Sequence, residues 1–258
     1  MSTSLFDKII FGPIKSRRLG ISLGVNLLPT YGKICNFNCI YCECGWNEQS
    51  RGQKLRFNDK DDVVSTLEAK LGMMSESGEG LDVITFAGNG EPTMHPDFDF
   101  VVSNTVELRN RYYPLAKVAV LTNATMLKSE KVRNALSLVD RPILKIDSAN
   151  ESTIKLLNQP NQTYSLSDVI ENIKLLKGEK IIQTMFLRGE YNGNMVDNTT
   201  TPEIEAWLDV LRQIKPDMVM IYSIDRDTPA DNLGKIGFEE LNKIATFVRE
   251  LGIECSVA

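Results

Sequence analysis

The sequence predicts an α/β fold, a parallel sheet with outer helices curled into a full or partial barrel, and three observations predict it. Short runs rich in β-branched residues alternate with amphipathic runs at helical spacing from about residue 21 onward. No Gly-, Ser- or Pro-rich linker divides the chain, and no repeat longer than the βα unit is visible. Strands joined by helices pair in parallel through right-handed crossovers, and six or seven such units can close into a barrel, with a doubly wound open sheet as the structural alternative.

In chain order, Ile21 to Leu27 is the first strand, and a cysteine-bearing loop follows at about residues 33–46. Asn58 is placed as the cap of a helix whose first turn sets Asp59, Asp61 and Asp62 against the positive helix end; Val63, Val64, Leu67 and Leu71 form its apolar stripe. Val83 to Ala87 is a strand, Asp97 to Arg109 a helix, Val118 to Thr122 a strand, Ser129 to Leu138 a helix, and Ile143 to Asp147 the fourth strand. A short helix at Glu151 to Leu157 precedes a loop marked by Asn158, Pro160 and Asn161, and a longer helix runs from Ser167 to Lys177. Ile181 to Leu187, Met218 to Tyr222 and Ile253 to Val257 complete the strands, separated by helices at about Pro202 to Ile214 and Phe238 to Leu251. The polar stretch Arg188 to Thr201 reads as the longest loop and, following the fifth strand, as a cover for the barrel mouth.

With 258 residues, 42% hydrophobic and 24% charged, the chain has globular composition and is expected to form a single domain over 1–258. The first residues lack the pattern of a secretory signal, and no apolar run approaches the roughly 18 residues that cross a bilayer, so a cytoplasmic protein without membrane contact is expected. Net charge is −5, so no global basic field favours a nucleic-acid partner. The group Lys15, Arg17 and Arg18 is one local basic patch, read first as a solvated face.

Five cysteines are present, and Cys35, Cys39, Cys42 and Cys44 crowd into one short stretch. An odd number bunched this tightly is a poor disulfide framework and points to metal binding or catalysis; Cys255, alone in an apolar segment, reads as a buried inert thiol. The run Cys35-Asn-Phe-Asn-Cys39-Ile-Tyr-Cys42 spaces three thiols by four and three. Tetrahedral zinc normally takes four protein ligands and would need Cys44 in an awkward Cys-x-Cys bite, because the chain's one histidine, His95, is distant in sequence. A 4Fe-4S cluster on three thiolates instead leaves one iron open to a substrate or cofactor. Cys44 then reads as a spare thiol, and His95 as a turn residue between Pro92 and Pro96.

This cysteine loop resembles the defining motif of the radical S-adenosylmethionine (SAM) superfamily, with Tyr41 as its aromatic residue just before the last cysteine. The resemblance implies a partial (β/α)6 TIM-like barrel, one oxygen-sensitive 4Fe-4S cluster on Cys35, Cys39 and Cys42, and SAM on its open iron. It also implies reductive cleavage of SAM to a 5′-deoxyadenosyl radical that abstracts hydrogen from an unidentified substrate, with tRNA or another nucleic acid, a peptide and a metabolite all open, and an electron donor such as flavodoxin or ferredoxin as partner. The segment Gly88-Asn89-Gly90-Glu91-Pro92 is similar to the glycine-rich turn with which the family holds the SAM amino group, Asn89 standing in place of a glycine. A glycine lets backbone approach a ligand, and a carboxylate pairs with an ammonium.

Polar residues at successive strand ends would converge at one mouth: Thr122-Asn123, Asp147-Ser148, Gln183-Thr184, Ser223 and Asp225. By resemblance Tyr41, Thr122, Asn123 and Ser148 are further SAM contacts, while capping of the next helix is the competing role for the strand-end residues. The opening Phe11-Gly-Pro-Ile-Lys-Ser-Arg-Arg-Leu-Gly and the segment Ile221-Tyr-Ser-Ile-Asp-Arg-Asp-Thr-Pro look like a stand-alone iron-sulfur oxidoreductase branch related to the wyosine-base enzymes of tRNA modification. No cysteine precedes Cys35, so a second cluster of the wyosine type lacks ligands. A glycyl-radical-enzyme activase is the nearest alternative activity, and a noncatalytic metal-binding interaction module the alternative of another class.

Overall fold

The computed structural model describes residues 5–16, 18–47 and 54–258. The described residues build a ten-stranded sheet whose main path runs β1 (Ile10–Ser16), β2 (Gly20–Val25), β3 (Val83–Phe86), β4 (Lys117–Thr122), β5 (Arg141–Lys145), β6 (Ile181–Tyr191), β8 (Met218–Ser223) and β10 (Glu254–Val257). From β2 to β10 every neighbouring pair is parallel, and only β1 is antiparallel, to β2. Since β1 and β10 end the path unpaired with each other, the sheet is an open, partial barrel. All loops that follow the parallel strands therefore leave from one face.

Helices α1 (Lys60–Ser77), α2 (Phe98–Tyr112), α3 (Glu130–Leu136), α4 (Glu151–Leu157), α5 (Leu166–Lys174), α6 (Thr201–Ile214) and α7 (Phe238–Glu250) lie between the strands in sequence, as the alternating pattern predicts. Their apolar stripes, such as Val63, Leu67 and Leu71 of α1, join Leu23, Ile84, Val118 and Leu144 in one buried core between sheet and helices. On the other side of the sheet Val83, Ala119, Ile143, Ile181 and Met220, one from each of five adjacent parallel strands, fill the barrel interior. Among the described residues no helix is long and apolar enough to cross a membrane.

Three local expectations need correction. The cap of α1 is Asp59, whose carboxylate accepts from the N–H groups of Asp61 and Asp62; Asn58 instead donates its side-chain amide to the Asn26 and Leu28 carbonyls and holds the loop leading into the helix. The stretch Arg188 to Thr201 is mostly a β-hairpin, since β6 continues to Tyr191 and pairs with β7 (Asn194–Asp197). Asn192 and Gly193, with φ of 51° and 75°, supply the two left-handed residues that a tight hairpin turn requires. Asn-Gly between two runs of strand residues was the available signal, and it was outweighed by the polarity of the stretch. The third correction adds two strands, the edge strand β1 and β9 (Leu233–Lys235), which pairs antiparallel with the extension of β6. Gly12-Pro13 interrupts the pattern of β1, and its pairing shifts register between Phe11 and Ile14, which is where a proline is tolerated.

Candidate active site at the strand ends

The cysteine loop leaves β2 and is fastened to the turn after β3. Ile34 and Gly90 form a parallel bridge in which the Ile34 N–H donates to the Asn89 carbonyl at 3.0 Å and the Glu91 N–H donates to the Ile34 carbonyl at 3.0 Å. Gly90 has φ of 132°, and a Cβ on it would stand 1.8 Å from the Ile34 carbonyl oxygen, so only glycine permits this approach. From the other side the loop is held by the end of α4: the Asn38 N–H donates to the Asn158 carbonyl at 2.9 Å and the Ile40 N–H to the Leu157 carbonyl at 3.0 Å.

These contacts bring Cys35, Cys39 and Cys42 to the wall of one cavity of about 290 Å³, which Tyr41, Gly88, Gly90, Glu91, Thr122 and Asn123 also line. Thus six of the eight residues singled out by resemblance for SAM surround the same space as the three thiols. Two do not line it. Asn89 is fully buried behind the turn, where its side chain exchanges hydrogen bonds with the Phe6 backbone and donates to the Pro29 carbonyl. Ser148 turns toward α6, donating its hydroxyl to the buried Glu203 carboxylate at 2.7 Å and accepting from the Asn150 N–H. It is thus tied to Glu203 of α6 and to the approach to α4, whose N-cap is Asn150.

Glu91 is 2% exposed, and its carboxylate accepts from the Thr93 N–H (3.0 Å), the Thr93 and Thr122 hydroxyls (2.5 and 2.7 Å) and the Asn123 N–H (2.7 Å). Burial pushes its carboxyl above the usual range, and those four hydrogen bonds oppose the shift. Asn123 reaches on to the Asn36 side chain at 2.6 Å, tying the strand end to the cysteine loop.

Sequence reasoning missed the cations and amides that face the sulfurs. Lys145, at the end of β5, places its ammonium 3.4 Å from Cys39 Sγ, 3.5 Å from Asp147 and 4.5 Å from the Tyr41 ring centroid. Burial presses its pKa down, but Asp147 and Cys39 outweigh this and hold it well above the ordinary lysine value. Asn158 donates to Asp147 at 2.7 Å and points at Cys39 Sγ at 3.5 Å, while the Tyr41 hydroxyl also donates to Asp147. Lys33 is buried, donates to the Gly45 carbonyl at 2.8 Å and is held above its ordinary pKa, against desolvation, by the sulfurs of Cys42, Cys35 and Cys39. A lysine following a strand has no sequence signature that separates it from a surface lysine.

The thiols differ. Burial pushes Cys35 up to about 12, although the Phe37 N–H donates to its sulfur at 3.4 Å. Cys42 is held well below the ordinary thiol value chiefly by its neighbour Cys44, against burial, and Cys44, which donates to the Gly88 carbonyl at 3.2 Å, is raised. Cys255 is buried far from the loop in β10, and burial raises it to about 11, consistent with an inert thiol. His95 is 4% exposed and packs as a turn residue, its Nε2 2.8 Å from the Asn58 carbonyl and its Nδ1 accepting from the Asp97 N–H. Thr184 and Ser223 bond to the backbone carbonyls of Ile146 and Phe186, whereas Gln183 lines the cavity.

A family model for the Radical SAM superfamily matches residues 30–199, two-thirds of the chain, including the three spaced cysteines and the eight residues singled out for SAM. The chain belongs to the radical SAM superfamily. Membership implies SAM and an iron-sulfur cluster as cofactors. A UPF0026 protein of Methanocaldococcus jannaschii is 34% identical over 184 residues, covering 69% of this chain and 54% of that one. A protein named GTPase Obg from Brachyspira hyodysenteriae is 28% identical over 245 residues, covering 93% of this chain and 33% of its own length. The radical SAM chain thus spans about half of one relative and a third of the other. Among solved structures, a radical SAM methyltransferase from Sphaerobacter thermophilus superposes with TM-score 0.68 at 17% identity, over 92% of this chain and 65% of that one. TYW1 with a lysine-pyruvate adduct bound gives 0.62 at 14%, over 89% and 73%. These likenesses show the shared fold, the partial barrel with flanking helices.

Proposed function

We propose that this protein is a radical SAM enzyme with one 4Fe-4S cluster on Cys35, Cys39 and Cys42, and that it cleaves SAM reductively to methionine and a 5′-deoxyadenosyl radical that takes hydrogen from a substrate. The observation that carries this reading is the meeting of three thiols and the Gly88–Glu91 turn around one cavity at the strand ends. The donor set suits a cluster: among the described residues no three His, Cys, Asp or Glu groups converge at single-ion distance, whereas in a cubane each thiolate holds its own iron. When bound, the cluster supplies the single electron that splits the sulfonium.

The chain's own residues then do the rest. Lys33 and Lys145 offset the negative charge of three thiolates in a buried site, where an uncompensated charge is costly. Gly88 and Gly90 leave backbone open at the cavity wall, and Glu91 holds the turn, the end of β4 and the cysteine loop in one rigid unit. Tyr41, fixed through Asp147, presents its ring to the cavity beside the last cysteine. Phe37, Met185, Leu121 and Tyr222 make much of the remaining wall apolar, which keeps water from the reacting carbon. Flavodoxin or ferredoxin would supply the electron.

Anaerobically reconstituted protein, reduced with dithionite and given SAM, should form 5′-deoxyadenosine and methionine in equal amounts. Intact SAM after reduction of a full cluster would overturn the reading.

A further inference from the structure

The sequence pattern places Arg18 in a solvated basic patch with Lys15 and Arg17. Arg17 lies outside the described residues, and Arg18 does not behave as a surface residue. It sits in the turn between β1 and β2, at the end of the barrel opposite the cysteine loop, yet its side chain lines the same cavity as the thiols. Its Cζ stands 4.3 Å from the ring centroid of Tyr222, near the C-terminal end of β8, so the guanidinium closes the cavity from below. Its Nη1 is buried and has no hydrogen-bond partner among the described residues.

The other charges of the lining are already occupied. Lys145 faces Asp147 and Cys39, Lys33 faces the sulfurs and Gly45, Glu91 holds four donors, and Glu43 pairs with Arg226 at 2.8 Å. Arg18 has no carboxylate partner among the described residues. A buried unpaired donor is costly, and a guanidinium presents two parallel N–H groups that match a carboxylate or phosphate. A cation stacked on an aromatic face is also held in place for such a partner.

We infer that Arg18, backed by Tyr222, is the binding site for an anionic oxygen group of the molecule on which this protein acts, so that the substrate carries a carboxylate or a phosphate. The inference rests on the radical SAM reading only in assigning the upper cavity to SAM. The anion enters at the floor, and the rest of the substrate extends upward toward the apolar wall.

The test titrates arginine-labelled protein, without SAM, with sodium acetate and separately with inorganic phosphate, following the Arg18 side-chain N–H resonance by NMR. A saturable shift in one titration is expected, and the anion that saturates at the lower concentration assigns the group. No shift with either anion in the wild-type protein would overturn the inference whether or not a cluster or SAM binds. Calorimetry on reconstituted Arg18→Gln then asks what the guanidinium serves. Anion affinity should fall about tenfold or more with SAM affinity within about twofold of wild type; a tenfold loss of SAM affinity instead would assign Arg18 to the SAM carboxylate and also overturn the inference.

Discussion

The Asn123 backbone N–H donates to Glu91 Oε2 at 2.7 Å, so the carboxylate of the glycine-rich turn carries the end of the neighbouring strand. Through the Asn123 side chain the same link continues to Asn36 in the cysteine loop. In Glu91→Gln an amide NH2 replaces one acceptor and faces a donor. The variant should lose about 1–3 kcal/mol of stability by denaturant unfolding. If Glu91 also pairs with the SAM ammonium, SAM affinity by calorimetry should drop about ten- to a hundredfold. Unchanged affinity with reduced stability would leave Glu91 as the brace alone.

Cys44 neighbours Cys42 and donates to the Gly88 carbonyl at 3.2 Å, but stands outside the spacing of the three proposed ligands. Cys44→Ala should keep full iron content and SAM cleavage. Loss of the cluster in this variant would make a four-cysteine site the better description.

Lys145→Met removes a positive charge 3.4 Å from Cys39 Sγ and leaves Asp147 without its cation. Both changes disfavour the more negative, reduced cluster, so the midpoint potential should move downward in a redox titration followed by electron paramagnetic resonance. An unchanged or raised potential would exclude this electrostatic role.

Trp46 of the cysteine loop lies against Tyr191 of the β6–β7 hairpin, ring centroids 6.0 Å apart. The expected mobile cover is thus a strand pair packed on the loop. Tyr191→Ala should speed iron release to a chelator while leaving initial iron content intact, and equal release rates would show that the hairpin does not shield the loop.

Asp140 joins the ends of β4 and α2, accepting from the Val118 N–H at 2.8 Å and pairing with Arg109 at 2.7 Å. Burial pushes its carboxyl up, but Val118, Arg109 and Lys117 outweigh this and hold it below the ordinary carboxylate value. A folded-state value below the unfolded one contributes stability that is present above the unfolded value and lost as pH falls through the folded one. The stability gap between wild type and Asp140→Asn should therefore narrow as pH falls below about 4. A gap independent of pH would show that the carboxylate charge is not what matters.

The βα alternation was legible because helices keep a one-sided apolar stripe and the central parallel strands are buried on both faces, as Val63, Leu67 and Leu71 and the run Val83–Phe86 show. The thiol spacing and the Gly90-Glu91 turn were legible because both are local in sequence. Lys33, Lys145, Asn158 and Arg18 were not, since their roles arise only when strand ends and loops distant in sequence meet. Ser148 shows the reverse: a strand-end serine has the chemistry to face a cavity, and here its hydroxyl bonds the buried Glu203 on α6, a partner distant in sequence.

The most direct test of the central claim is the iron and acid-labile sulfide content of the anaerobically reconstituted protein and its single-cysteine variants. About four of each per chain are expected in the wild type and in Cys44→Ala, with the cluster lost in Cys35→Ala, Cys39→Ala and Cys42→Ala. A full cluster in any of those three variants would contradict the account.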